Sequence, residues 1–299
     1  MPTRTAAHDG PTLVPDLIGT REVWVWSVLT VAVAFWANIV RGTSPGDLPG
    51  LGSMIARVID NGAFDVFAWT LVFARVTRMS EAGPASRLQI WATFLVGAIA
   101  LAPVRLAAGV GLVILGGLLL RERRTLPAGR QVGLVLLALA FETVWTSPLL
   151  APMHVLVGSV DARISAFLFD LLNKEATAHA NVVENISANF SISIWPYCAS
   201  SFPLAGVSLA FLVVVMYLGQ PLRRRHVLWL AMSFIGSILL TEVRLVLLAT
   251  SQGSYRWWHA GPGVSLYAMA ALALAVVVPM LATRDPKTAK ARLDSRHVV

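Results

Sequence analysis

The sequence predicts an all-α polytopic membrane protein of about eight transmembrane helices, with an outer amphipathic helix and a short β segment. Three observations lead there. Hydrophobic residues make up 56% of the 299 and charged residues 13%, with a mean hydropathy of +0.69, which is too apolar for an ordinary soluble domain. Several apolar runs reach the ~20 residues that a helix needs to cross the hydrocarbon core, where backbone N–H and C=O groups find no water and must bond to one another. Lysine and arginine are concentrated in segments that separate those runs.

Val23 to Val40 is the first span. It follows a polar arm, residues 1–22, and is long enough to stay as an anchor rather than leave as a signal peptide. Ile55 to Ala74 is the second and carries Arg57, Asp60 and Asp65, so its outer half must face protein or water. Leu88 to Leu120 is too long for one crossing and holds a single charge, Arg105, just after Pro103; it reads as two helices hinged near Ala102 to Leu106. Val132 to Leu150, Cys198 to Leu218, Val227 to Leu248 and Val264 to Ala282 complete the set. No repeat of about 20–50 residues occurs, so residues 1–299 form one membrane-embedded domain rather than an array.

Charge placement sets the orientation. Arg75 to Arg87, Arg121 to Arg130, Arg223 to Arg225 and the basic tail, residues 284–299, hold 15 of the 24 lysines and arginines, and Arg4 with Arg21 make 17. Eight spans put all five regions on one side, so both termini are expected in the cytoplasm of a multi-pass protein of the cell membrane. The net charge of +8 then reflects topology, and without a basic stripe interleaved with aromatics nucleic-acid binding is not expected. A single cysteine excludes an internal disulfide and a Cys-rich zinc site. The histidines are scattered and no His-Glu-x-x-His occurs, so neither a metal nor another cofactor is expected.

The longest stretch outside the cytoplasm is residues 151–197. Met153, Val157, Val160, Ile164, Leu168 and Leu171 recur there at three-and-four spacing, which predicts an amphipathic helix in the membrane interface. Ile186, Ala188, Phe190, Ile192 and Ile194 then alternate with Ser187, Asn189, Ser191 and Ser193, the period of a half-buried strand. That strand leads to Cys198. It either caps the bundle or offers an edge to an extended peptide.

Three residues meet at one mouth in this topology. Cys198 lies at the outer end of the sixth span, Arg244 below the outer end of the seventh, and His259 in the connection Ser251 to Gly263. A thiol becomes a nucleophile when a nearby cation or base favours its thiolate. An imidazole moves protons near neutral pH, and a guanidinium stabilises the oxyanion formed when a thiolate attacks a carbonyl. Such groups suit acyl transfer. Read singly, Cys198 also fits inert packing, Arg244 fits snorkelling to the headgroups, and His259 beside Trp257 and Trp258 fits an interfacial anchor.

The stretch Trp195-Pro-Tyr-Cys198-Ala-Ser-Ser, the segment Thr241-Glu-Val-Arg244-Leu, and His259 after a short loop resemble the three signature blocks of the exosortase and archaeosortase family. The resemblance covers roughly Pro152 to Ala282. It implies an integral membrane cysteine transpeptidase acting on exported proteins that carry a C-terminal motif, a transmembrane helix and a basic cluster. It further implies Cys198 as nucleophile, Arg244 as electrostatic stabiliser and His259 as proton-transfer group, with water, a lipid or another amine as acceptor at the outer face. Two departures mark a divergent member. Ala199-Ser200-Ser201 stands where the family commonly has Ser-Gly after the cysteine, and Thr241 stands where it often has asparagine.

Other classes remain open at this point. A polytopic transporter would line a pathway with Asp65, Arg105, Glu142 and Arg244, and a non-enzymatic assembly factor would need none of them. Ser200 and Ser201 are rival nucleophiles without a Gly-x-Ser-x-Gly elbow. Glu242, two residues from Arg244 on a helix, points away from it.

Overall fold

The computed structural model describes residues 19–41, 51–79, 85–102, 104–121, 128–145, 149–150, 152–220 and 222–284. Most of the N-terminal arm, through residue 18, and the basic tail from residue 285 lie outside the described residues, as do Pro103 and the side chains of Arg57, Asp60 and Arg105. The elements run α1 (Thr20–Arg41), α2 (Leu51–Val76), α3 (Arg87–Ala100), α4 (Arg105–Arg121), α5 (Ala128–Val144), α6 (His154–Leu171), β1 (Ala176–His179), β2 (Val182–Asn185), β3 (Phe190–Ser193), α7 (Leu204–Tyr217), α8 (Arg224–Ala249), α9 (Gln252–Ala260) and α10 (Pro262–Thr283).

Helices α1 to α5 and α7 share a core that includes Trp24, Val28, Trp69, Leu112, Leu136 and Leu209. The stretch Leu88 to Leu120 divides into α3 and α4 beside Pro103. Helices α4 and α5 meet at backbone distance where Gly116 faces Gly133. A Cβ on Gly133 would stand 2.7 Å from the Gly116 carbonyl oxygen. Only a side chain of hydrogen size permits that approach.

The expectation of about eight transmembrane helices is overturned. Among the described residues two helices are long and apolar enough to cross a membrane, α8 with 26 residues and α10 with 22. Other apolar runs break into shorter helices, with 14 residues in α3, 17 in α5 and 14 in α7. At ~1.5 Å per residue, α7 reaches only about 21 Å of the ~30 Å hydrocarbon thickness. The run that starts at Cys198 loses its first residues to a 3-10 turn and a loop bounded by Pro196 and Pro203, and its helix begins at Leu204. Proline favours a helix start and opposes an interior, a local constraint that hydropathy does not register.

The two long helices are also poorly covered by protein. Only 33% of the most apolar stretch of α8 and 11% of that of α10 is buried. Leu228, Met232, Ile235 and Leu239 on α8, with Met269 and Leu272 on α10, are exposed. A core helix of a soluble protein would be mostly buried, and surface of this kind suits lipid.

Helix α6 buries Gly158, Asp161, Ala162, Ser165 and Phe169, and leaves Val155, Leu156, Val160, Phe167 and Leu171 exposed. Of its apolar stripe, Met153, Val160 and Leu171 point outward while Val157 and Leu168 pack against the core. Much of the inward face is small or polar, because Asp161 and Ser165 find partners there. The alternating segment Ile186 to Ile194 is not one strand. Ile186–Ala188 is a 3-10 turn, Asn189 is left-handed at φ 47, and only Phe190–Ser193 pairs. It joins a three-stranded antiparallel sheet in the order β1-β2-β3, with Ala176 opposite Asn185 and Val182 opposite Ser193. Where the chain has a surface to bury against, the alternation holds: Ile192 and Ile194 are buried and Ile186 is exposed.

Two contacts fix this cap. Asn185 Nδ2 donates to the carbonyls of Ala249 at 3.2 Å and Thr250 at 3.1 Å, tying the sheet to the end of α8, while its Oδ1 accepts from the Ala188 N–H. At Gly158 a Cβ would stand 2.7 Å from the Asn181 Cβ and 3.0 Å from the Ile194 carbonyl oxygen. Helix α6 is thus pressed onto the chain four residues before Cys198.

Candidate active site

Cys198 closes the 3-10 turn Pro196–Cys198, which follows an extended Trp195. Its N–H donates to the Trp195 carbonyl at 2.8 Å, and the Ala199 N–H donates to the same oxygen at 3.1 Å. The thiol is therefore held by a tight turn ahead of α7, not carried on the helix. It is partly buried against an apolar cluster that includes Ala162, Ile194, Ala199, Leu245 and Trp258. Burial pushes the Cys198 thiol up, the positive charge of Arg244 and a hydrogen bond with the Trp195 backbone pull it down, and burial prevails.

Arg244 projects from the last third of α8. Its Nη2 donates to the Trp258 carbonyl at 3.5 Å, and its guanidinium carbon stands 4.5 Å from the centre of the Tyr267 ring. Its Nε is buried without a hydrogen-bond partner, and among the described residues its contacts are with a carbonyl and a ring, not a carboxylate. Tyr267 on α10 is pinned in turn. Its hydroxyl lies 3.0 Å from Thr241 Oγ1, which itself donates to the Ser237 carbonyl at 2.9 Å, so the tyrosine supplies the proton between the two hydroxyls. Thr241 thereby secures the ring beneath the arginine.

His259 stands at the rim on α9. Its exposed ring stacks on Tyr255 at 4.8 Å and 14°, and Tyr255 meets Phe190 of β3 edge-on. The structure brings Cys198 and Arg244 within electrostatic reach, while no hydrogen bond among the described residues joins His259 to the thiol. A second imidazole, His154 on α6, stacks at 6.3 Å on Trp195, three residues before the cysteine.

The rival serines are occupied or enclosed. Ser200 donates its N–H at 2.8 Å and its hydroxyl at 2.7 Å to the two carboxyl oxygens of Asp161. Ser201 Oγ is buried without a partner, and its carbonyl accepts from Trp145 Nε1 at 2.8 Å. Glu242 turns from Arg244 to Ser165 on α6, whose hydroxyl donates to it at 3.2 Å. Glu142 shares a hydrogen bond with Asp65 of α2. Among the described residues no three His, Cys, Asp or Glu side chains gather where a metal could bind.

Sequence reasoning overlooked Tyr267 and the parts that Asp161, Ser200 and Trp258 play here. Asp161 had a usable signal. With Ser165 it forms an i, i+4 polar pair on the same face as the small residues Gly158 and Ala162, and such a pair calls for buried partners. Comparisons with protein-family models, with curated proteins and with solved structures find no match.

Proposed function

We propose that this protein is a membrane cysteine peptidase or transpeptidase of the exosortase and archaeosortase type, which cleaves a C-terminal sorting signal of exported proteins. The observation that carries the proposal is the pairing of a turn-held, partly buried thiol with a guanidinium whose Nε lacks an acceptor. Helices α8 and α10 would anchor the chain. Their basic ends, Arg223 to Arg225 and Arg284, share one side because α9 joins the other two ends, so the positive-inside bias puts Cys198 at the outer surface. Trp195, Tyr197 and Trp257, all exposed around that end, suit the headgroup layer.

In the proposed reaction the Cys198 thiol loses its proton to His259 as a substrate peptide enters, and the thiolate attacks the scissile carbonyl. Arg244 holds the oxyanion. The C–N bond breaks, His259 returns the proton to the leaving amine, and the acyl group remains on sulfur as a thioester. Water or a second amine, such as one on a lipid headgroup, then takes the acyl group. His259 engages only once substrate fills the mouth, as catalytic hydrogen bonds often do. Mass spectrometry of exported proteins from cells with wild-type or Cys198→Ala protein tests the proposal. Shortened C-termini should vanish with the variant while its membrane level holds, and undiminished processing would refute the assignment.

One observation favours a second reading. Asp65 and Glu142 form a hydrogen-bonded carboxyl pair inside the helical bundle, a feature suited to moving a proton or cation. A transporter would lose flux with Asp65→Asn and retain it with Cys198→Ala.

A further inference from the structure

We infer that Asp161 is a positioning residue for Cys198: by gripping Ser200 through both its N–H and its hydroxyl, it holds the turn that carries the thiol against the helix that bears Arg244. The proposal rests on the reading of Cys198 and Arg244 as a working pair. Asp161 is 2% exposed and Ser200 7%, so their two bonds, at 2.8 and 2.7 Å, exchange little with water. Ser200 lies two residues past the cysteine, and these bonds, with the Trp195 carbonyl on the other side, hold the turn from both ends. The grip extends to α8. Glu242, 1% exposed, accepts from Ser165 and lies in hydrogen-bond contact with Asp161, and it sits two residues before Arg244. One buried cluster therefore ties the cysteine turn, α6 and the helix bearing the arginine.

A buried carboxylate is expensive without hydrogen-bond donors, and buried Ser200 supplies two, its N–H and its hydroxyl. Here both carboxyl oxygens accept from Ser200, two residues past the only cysteine, and the same carboxyl meets Glu242 of the arginine-bearing helix. The titratable groups on or adjoining the cluster around Cys198 are Asp161 of α6, Glu242 and Arg244 of α8, Tyr255 and His259 of α9 and Tyr197 beside the thiol, with His154 of α6 on Trp195 and Tyr267 of α10 under Arg244. Of these, Arg244 is the one whose charge acts on the thiol.

Because the chain has one cysteine, iodoacetamide labelling of the full-length protein reports Cys198 alone. The rate of labelling against pH is measured for the wild type, Arg244→Gln, Asp161→Ala, Asp161→Asn and the Arg244→Gln/Asp161→Ala double variant. Loss of the cation raises the thiol, so Arg244→Gln should move the profile to higher pH and slow labelling below its midpoint by roughly tenfold per unit moved. Asp161→Ala should move it the same way, and the double variant no further than Arg244→Gln. Asp161→Asn can accept from the Ser200 N–H and donate to its hydroxyl, so it should stay near the wild-type profile.

An unmoved or lowered profile for Asp161→Ala overturns the proposal, since removing a mere negative charge would favour the thiolate. Equal shifts for the alanine and asparagine variants, or additive shifts in the double variant, overturn it too. Should Asp161→Ala fail to fold, Ser200→Ala removes one of the two bonds and should slow labelling about threefold in the same pH range; an unaltered rate there overturns the proposal. Substrate processing is scored separately. Unaltered processing by Cys198→Ala defeats the peptidase reading whatever the labelling shows, and an unmoved labelling profile defeats the clamp even where processing depends on Cys198.

Discussion

Replacing Tyr267 tests how Arg244 is held. The ring offers its face to the guanidinium at 4.5 Å, well inside the ~6 Å at which such contacts act, and for a partly buried pair this contributes about 1 kcal/mol. The hydroxyl adds a bond to Thr241 at 3.0 Å, with a net contribution of about 1 kcal/mol. Tyr267→Phe keeps the ring and loses the bond, so up to about 1 kcal/mol disappears from the placement of Arg244. Tyr267→Leu keeps apolar bulk and loses both, about 2 kcal/mol. If Arg244 must be in place when the oxyanion forms, processing slows about fivefold in the phenylalanine variant and about thirtyfold in the leucine variant, since ~1.4 kcal/mol is a factor of ten. Processing rates are measured at equal membrane levels of each variant. Equal rates for the two variants would show that the ring face does not hold the arginine, and wild-type rates for both would show that its placement does not limit the reaction.

Other consequences are structural. Gly133→Val forces a side chain against the Gly116 carbonyl oxygen, which cannot swing aside, and should destabilise the α4–α5 contact by about 1–3 kcal/mol in thermal unfolding in detergent. Asn185→Ala removes both donors to the end of α8 and the acceptor for Ala188, and limited proteolysis should then cut the 176–193 sheet before the helices. Burial raises the Cys198 thiol, so the folded protein retains a proton that the unfolded chain releases. Its contribution to stability is fully present below the unfolded thiol value and is lost as pH rises beyond about 8.5. Alkaline unfolding of Cys198→Ala should lack that component.

The candidate site was partly legible because two of its demands are local. A cysteine just after Trp195-Pro196-Tyr197 and an arginine within an apolar helix both stand out against their surroundings. What holds them does not. Tyr267 is one more aromatic in an apolar run until α10 folds against α8, and Asp161 is far from Ser200 in sequence although their atoms meet. The strand reading erred for a related reason. Alternation from Ile186 to Ile194 is continuous in sequence, but Asn185 caps the turn at Ile186–Ala188 and Asn189 turns left-handed, so pairing starts only at Phe190.

The sequence by itself determined an apolar, mostly helical chain and the break near Pro103, and it singled out the thiol and the cation as candidates, because composition, proline and a lone cysteine act without reference to distant residues. Tertiary structure decided that two described helices rather than eight are both long and apolar enough to cross a membrane, since helix ends depend on caps, prolines and packing that hydropathy does not register. It also decided which face of α6 turns inward. Hydrophobicity alone would bury Val160 and Leu171; Asp161 and Ser165 are buried instead because Ser200 and Glu242 are there to receive their hydrogen bonds.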